Sequence, residues 1–307
     1  MPVARRERRA GGKGAGAVTG REAPATVMSV LQAAEGWFAD KQIDAPRRSA
    51  ELLLGSVLGL DRLNLYLEHE RPLTAEERQA MRELTARRGR GEPVAHLLGS
   101  WSFRGHELAV SPAVLIPRPE TEELVSLALE RLPEAARVVD LGTGSGAIAI
   151  ALALERPDVQ VTATDASAAA LSVAQSNVER HGLDDRVTLC AGSWWQACAE
   201  LGPFDMVVSN PPYIDPQRSE GLDDEVRAHE PSQALFSEAG DVVSCYREIL
   251  SGVAGGLRPG GTLLFETGLG AAEPALELLQ AEPELQDCEL RDDLAGHARY
   301  LLATRRG

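Results

Sequence analysis

Asn210-Pro211-Pro212-Tyr213 follows directly on the apolar run from Phe204 to Ser209, and a turn of this composition at a strand end suits one demanding reaction. A planar –NH2 group is a poor nucleophile because its nitrogen lone pair is delocalised into the adjoining carbonyl or ring. Two hydrogen-bond acceptors restore nucleophilicity without a strong base, by holding both N–H groups and favouring a tetrahedral nitrogen. The side-chain oxygen of Asn210 and the backbone carbonyl of Pro211 form such a pair, and the fixed φ of proline keeps the loop rigid. Tyr213 is expected to pack on the planar substrate group and exclude water. Asn210, Pro211 and Tyr213 are therefore the expected catalytic residues, and Asn210, Pro211, Pro212 and Tyr213 the expected substrate contacts. Catalysis of this kind rests on positioning and preorganised electrostatics.

A second group of residues would hold the reagent. Val138-Val139-Asp140-Leu141 runs into Gly142-Thr143-Gly144-Ser145-Gly146 and then Ala147 to Leu152, a strand, a tight turn and a helix. Glycines let the chain turn sharply and let a ligand approach the backbone with no Cβ in the way. Asp165 ends the next strand 19 residues after Gly146, where an acidic side chain accepts hydrogen bonds from ribose hydroxyls. The relaxed dinucleotide fingerprint is also met, through Gly142, Gly144 and Ala147. Asp140, two residues before the first glycine, tilts the reading toward a cationic ligand. The ammonium and sulfonium of S-adenosylmethionine favour a nearby carboxylate, which a diphosphate does not. Trp194 and Trp195 follow the third strand, where an indole can cover an adenine ring.

The elements that must position these residues are legible in the periodicity. Strands are expected at Arg137 to Leu141, Val159 to Thr164, Val187 to Cys190, Phe204 to Ser209 and Thr262 to Phe265, most of them separated by helical patterns. Such alternation implies an α/β domain with a mostly parallel sheet covered on both faces. Residues 286–304 read as two further strands around Asp292 to Gly296, an antiparallel pair at the sheet edge. Residues 98–112 alternate apolar and polar around Arg104-Gly105, the pattern of a β-hairpin. From Met28 to about Gly91 the pattern is helical, with Ala50, Leu53, Leu54, Val57 and Leu58 on one stripe, Asp44 as the N-cap before Pro46, and a capping box at Thr74 and Glu77. Arg87, Arg88 and Arg90 suit that last helix's C-terminal end. The expected organisation is a basic tail (1–27), a helical domain (28–95), a hairpin linker (96–112) and a catalytic domain (113–307).

The 307 residues carry a formal net charge of −15, which disfavours a nucleic-acid binder, since phosphate contacts need a positive face. Residues 1–27 are net +4 and poor in large apolar side chains, the composition of a disordered tail. Translation starting at Met28 would remove that tail. The acidic excess gathers beside the expected catalytic turn, where residues 214–241 hold eight acidic and two basic side chains. No apolar run is long enough to span a bilayer and no secretory signal follows the N-terminal arginines. Four scattered cysteines suggest neither a zinc site nor a disulfide framework. H-E-x-x-H, the Walker lysine loop and the nucleophile elbow are absent from the sequence. A cytoplasmic, monomeric protein without metal is expected.

Taken together, these residues resemble the PrmC/HemK family of glutamine N5-methyltransferases. The resemblance covers roughly residues 28–305. It rests on Ala50-Glu51-Leu52-Leu53-Leu54, Gly91 to Gly99, Val110 to Glu122 with its I-P-R-P-E-T-E stretch, the Gly142 to Gly146 loop, Asn210 to Asp215, Glu230-Pro231 with Ala234-Leu235, and Asp293-Leu294-Ala295-Gly296. The resemblance implies a class I S-adenosylmethionine-dependent methyltransferase with a Rossmann-like seven-stranded sheet, a helical substrate-recognition domain and a β-hairpin linker. Its implied substrate is the glutamine of the GGQ motif of peptide chain release factors. Implied cofactor contacts fall on Gly142, Thr143, Gly144, Ser145, Gly146, Asp165, Trp194 and Asn210. The sequence shows Gly192-Ser193 before the tryptophans where the family has an acidic residue, so Trp195 competes with Trp194 for the adenine. The extension before Met28 is a further departure.

Two rivals share parts of this pattern. An N6-adenine DNA methyltransferase solves the same chemical problem with the same tetrapeptide, but needs a basic surface to hold DNA. A nicotinamide-dependent dehydrogenase accounts for the glycine loop and not for Asn210 to Tyr213. A non-catalytic protein on the same fold would keep the sheet and lose methyl transfer.

Overall fold

A computed structural model describes residues 25–268 and 270–307; the expected basic tail lies outside these up to residue 24. Thr26 caps the first helix in a capping box with Ser29, and Val27 is fully buried. Among the described residues five helices come first: α1 (Val27–Asp40), α2 (Pro46–Leu58), α3 (Arg62–Leu67), α4 (Ala75–Arg88) and α5 (Val94–Leu98). Leu31, Phe38, Leu53, Leu54, Leu65 and Met81 form their core. The capping box at Thr74 and Glu77 is present. Asp44 does not cap α2: Ala45 takes the N-cap position in a left-handed conformation (φ 44°) with no side-chain hydrogen bond, and Pro46 alone starts the helix.

The hairpin pairs β1 (Ser100–Phe103) with β2 (His106–Ala109), so the expected linker start at residue 96 falls inside α5. Arg104 and Gly105 both take positive φ (50° and 78°), the two-residue turn that matches strand twist. Asn177, fully buried, fixes the hairpin to the catalytic domain. Its Oδ1 accepts from the Ala109 N–H at 2.6 Å, and its Nδ2 donates to the Ala109 and Ser145 carbonyls.

The catalytic domain runs α6 (Pro119–Leu129), β3 (Arg137–Leu141), α7 (Ala147–Glu155), β4 (Gln160–Asp165), α8 (Ala168–Arg180), β5 (Val187–Ala191) and β6 (Phe204–Ser209). It continues with α9 (Asp224–His229), α10 (Ser232–Leu235), α11 (Ser244–Leu250), α12 (Val253–Gly256), β7 (Leu257–Glu266), α13 (Ala272–Ala281), β8 (Leu285–Asp292) and β9 (Ala298–Arg305). Seven strands form one sheet in the order β5-β4-β3-β6-β7-β9-β8, parallel except where β9 pairs with β7 and β8. β7 begins five residues before its expected start. Phe204 pairs with Leu257 and Met206 with Thr262, so the intervening Pro-Gly-Gly stretch is an irregularity within the strand. Helix α7, buried from Ala147 to Ala153, is apolar all round because its surroundings are protein. The strand order reverses between β3 and β6, and in open α/β sheets the crevice at the carboxyl ends of such strands is where ligands bind. Among the described residues no helix is long and apolar enough to cross a membrane.

Candidate active site

The glycine loop leaves β3 at the switch point and is tied down from below. The Gly142 and Thr143 N–H groups donate to the Thr164 carbonyl at 2.9 and 2.8 Å, and the Gly144 N–H donates to Asp165 Oδ2 at 2.9 Å. Asp165 Oδ1 accepts from the Ser167 N–H at 2.8 Å. Each carboxylate oxygen thus keeps acceptor capacity for a ligand. Asp140 lies underneath, fully buried, with Oδ2 accepting from the Thr143 hydroxyl at 2.6 Å and Oδ1 without a partner. Burial raises its carboxyl to about 7. Asp140 therefore braces the loop and does not border the cleft. Gly142 has φ 80°, and a Cβ there would stand 3.4 Å from the Trp194 ring. Gly146 faces away, and a Cβ there would press on Ile150 and Ala174. Its role is close helix packing.

Asn210 emerges from β6 beside the loop. The Ser209 hydroxyl donates to the Leu141 carbonyl at 2.5 Å, which clamps the ends of β6 and β3 together. Ser209 pairs with Phe265 in register, so Asn210 and Glu266 leave neighbouring strands at the same level. Asn210 Nδ2 donates to Thr121 Oγ1 at 3.3 Å, and Thr121 Oγ1 donates to Glu266 Oε2 at 2.7 Å. Thr121 and Glu266 are both buried. Burial raises the Glu266 carboxyl to about 7, against the pull of the Thr121 hydroxyl and of Arg299. Tyr213 lies against Gly268, where a Cβ would come within 2.4 Å of its ring, and burial pushes its phenol up to about 12.

The I-P-R-P-E-T-E stretch knits this end of the domain. Glu230, buried, accepts from the Ile116 N–H at 3.0 Å and from the Arg118 guanidinium. The Glu120 carbonyl accepts from the Tyr300 hydroxyl at 2.8 Å, and Thr121 reaches Glu266. Arg88, expected only as helix-end charge, is buried at the domain boundary and pairs with Glu225 at 2.5 Å. It joins the helical domain to the segment that follows Asn210 to Tyr213.

A cleft of about 350 Å3 opens over these groups, within the size range of small-molecule sites. Of the expected residues, Gly142, Thr143, Gly144, Ser145, Asp165, Trp194, Asn210 and Pro212 line it. Gly146, Pro211 and Tyr213 do not border that cleft. Trp194 and Trp195 part company. Trp194 borders the cleft in a left-handed conformation (φ 43°) with its indole N–H donating to Glu248 at 2.6 Å. Trp195 packs away from it against Gly252 and Gly256 and donates to the Ile249 carbonyl. Leu115, Pro117, Ala234 and Phe236 complete the wall. A carboxylate at a strand end, an aromatic wall and a turn with glycine at every other position suit a nucleoside. Sequence reading missed Thr121, Glu266 and Glu248; the one signal available was that Thr121 stands in the I-P-R-P-E-T-E stretch.

Residues 29–99 match the PrmC N-terminal domain family, and residues 121–231 match the methyltransferase small domain family. The release factor glutamine methyltransferase of Geobacter sulfurreducens is 44% identical over 276 residues, covering 90% of this chain and 95% of that protein. The protein of the same name from Chlorobaculum tepidum is 45% identical over 259 residues, covering 81% and 87%. That from Nitratidesulfovibrio vulgaris is 39% identical over 284 residues, covering 92% and 96%.

Proposed function

The chain belongs to the release factor glutamine methyltransferase family, and from that premise we propose that it moves the methyl group of S-adenosylmethionine to the side-chain amide nitrogen of the GGQ glutamine of peptide chain release factors. The observation that carries this reading is the placement of Asn210 at the switch point, lining the same cleft as the glycine loop. S-adenosylmethionine supplies a methyl group activated by its sulfonium. The cleft residues would hold it, with Asp165 accepting from ribose hydroxyls, Trp194 covering the adenine, and Gly142 to Ser145 running beside it. Gly146 belongs to this group as the residue that seats the loop on α7.

Asn210 Oδ1 and the Pro211 carbonyl would each accept one N–H of the substrate amide. Released from conjugation, the nitrogen lone pair would be aligned on the methyl carbon; the N–C bond would form as the methyl–sulfur bond breaks, the electron pair staying on sulfur as a neutral thioether, and the surplus amide proton would be lost to bulk solvent once the product leaves the site. Tyr213, seated on Gly268 outside the cleft itself, would back Pro212 on the glutamine side and help to exclude water. No general base is required, so the site contributes by positioning.

The partner we propose is protein, with no direct nucleic-acid contact. Eight acidic and two basic residues at 214–241 would repel a duplex, and they suit a basic, ribosome-binding protein. The helical domain, tied to this segment by Arg88 and Glu225, is the proposed recognition element. A cytoplasmic monomer is the proposed working form.

Incubation with methyl-tritiated S-adenosylmethionine, in parallel with release factor, its GGQ Gln→Ala variant and duplex DNA, tests the reading. Label is expected in wild-type release factor only. Label in DNA and not in release factor would overturn it.

A further inference from the structure

An asparagine can accept from the substrate only if its amide is turned the right way, and the two orientations have the same shape. We propose that Thr121 and Glu266 are positioning residues that fix the Asn210 side chain with its oxygen toward the cleft, an inference that rests on the acceptor role of Asn210 proposed above.

Proton counting on the observed contacts leads to this. An ionised Glu266 carboxylate only accepts, so the 2.7 Å contact must use the single hydrogen of Thr121. Thr121 then has only lone pairs left for Asn210. The group at 3.3 Å must therefore be the Asn210 NH2, which leaves Oδ1 on the cleft side. A reversed amide would set two acceptors against each other where solvent barely reaches, which disfavours it.

Three separate elements hold the relay. Thr121 is in the first turn of α6, Asn210 follows β6, and Glu266 ends β7. The Glu266 carbonyl accepts from the Tyr246 hydroxyl at 2.9 Å, and the next carbonyl, of Thr267, accepts from Arg299 at 3.0 Å. The backbone at Glu266 is thus fixed independently of its side chain.

The relay also makes the orientation sensitive to pH. The titratable or charged groups around Glu266 are Arg299 and Tyr300 on β9, Glu120 on α6, Tyr246 on α11 and Tyr213 after β6. Burial and Glu120 favour the protonated carboxyl, while Arg299 and the Thr121 hydroxyl oppose them. Once protonated, Glu266 can donate to Thr121, which frees the Thr121 proton to donate to Asn210 and favours the reversed amide.

The test compares Thr121→Val, Thr121→Ser, Glu266→Gln and Asn210→Ala in the full chain, using release factor as substrate. Thr121→Val is expected to lower kcat about 10- to 100-fold, with KM for release factor and the cofactor Kd within about threefold. Thr121→Ser, which restores the hydroxyl, is expected to bring kcat back to within about threefold of wild type. In wild type, kcat should fall as pH drops through about 7, and in Glu266→Gln that limb should vanish. Should Thr121→Val fold poorly, the Glu266→Gln pH profile decides. Undiminished kcat in Thr121→Val, failure of Thr121→Ser to rescue, or an unchanged acid limb in Glu266→Gln overturns the relay when Asn210→Ala is inactive. If Asn210→Ala itself turns over normally, it is the acceptor reading that falls.

Discussion

The glycine loop and the Asn210 turn are each underpinned by a buried carboxyl group paired with a threonine, yet the two pairs are built in opposite ways. Asp140 and Thr143 lie three residues apart in one strand-turn unit, and their 2.6 Å contact forms as soon as that unit does. Thr121 and Glu266 are separated by 145 residues and meet only because α6 crosses the end of the sheet where β6 and β7 adjoin. The local pair shapes a backbone cradle, which a ligand reads through the close approach that Gly142 and Gly144 allow. The long-range pair orients a side chain, which a reacting group reads through its oxygen. Damage to the first should appear in cofactor affinity and damage to the second in turnover.

The sharpest way to break this contrast is at Asn210. Asn210→Ala should lower kcat roughly 1,000-fold, the scale of losing one preorganised hydrogen-bonding group at a reaction centre, while cofactor affinity stays within a few-fold. Steady-state methylation beside calorimetric cofactor binding checks it. A parallel loss in both would mean that the two halves are not separable. Gly142→Ala should do the reverse. A side chain at φ 80° is strained and its Cβ stands 3.4 Å from Trp194, so cofactor Kd should rise about 10- to 100-fold with kcat at saturation nearly kept.

The same contrast explains what could be read from sequence. Strands Arg137–Leu141 and Phe204–Ser209 appear with their expected ends, because short apolar runs and flanking glycines or prolines are local signals. The glycine loop, the Asn210 turn and the α/β alternation were legible for that reason. Glu266 was not, since nothing in the run Thr262 to Phe265 says which strand lies beside it. Arg88 offered only a plausible helix-end charge, and its pairing with Glu225 depends on domain placement 137 residues away. The burial of Asp140 beneath the loop is illegible for a related reason: alternation along β3 determines which face a side chain takes, but what stands over that face is set by the loop.

Trp194 and Trp195 sharpen the contrast at smaller scale, because adjacent residues of one type have been given different tasks. Trp194→Ala should weaken cofactor binding about tenfold and barely alter the melting temperature. Trp195→Ala should leave cofactor affinity nearly intact and destabilise the fold by about 2–3 kcal/mol, since its half-buried indole packs on Gly252 and Gly256 against the core. Equal effects of the two on cofactor binding would return the choice between them to the open state in which sequence leaves it.

The smallest effect expected is on stability, and its sign follows from linkage. Glu266 titrates near 7 in the folded chain against an ordinary value of 4.5. A carboxyl whose folded-state value is raised holds its proton more tightly when folded, so its stabilising contribution is complete below about 4.5 and is lost as pH rises through about 7. Glu266→Gln cannot ionise and escapes that loss. The melting temperature of Glu266→Gln minus that of wild type, measured without cofactor, should therefore grow more positive by a few degrees between about pH 5 and pH 8. Asp140→Asn should show the same sign, because burial raises that carboxyl from 3.8 to about 7 as well. The two should differ in what accompanies the change. Glu266→Gln alters the pH dependence of turnover through Thr121 and Asn210, whereas Asp140→Asn, acting only on the loop through Thr143, should leave that dependence as it is in wild type. A pH-independent difference in melting temperature for both would show that neither carboxylate is penalised by its burial, and the parallel between the two pairs would then be one of geometry alone.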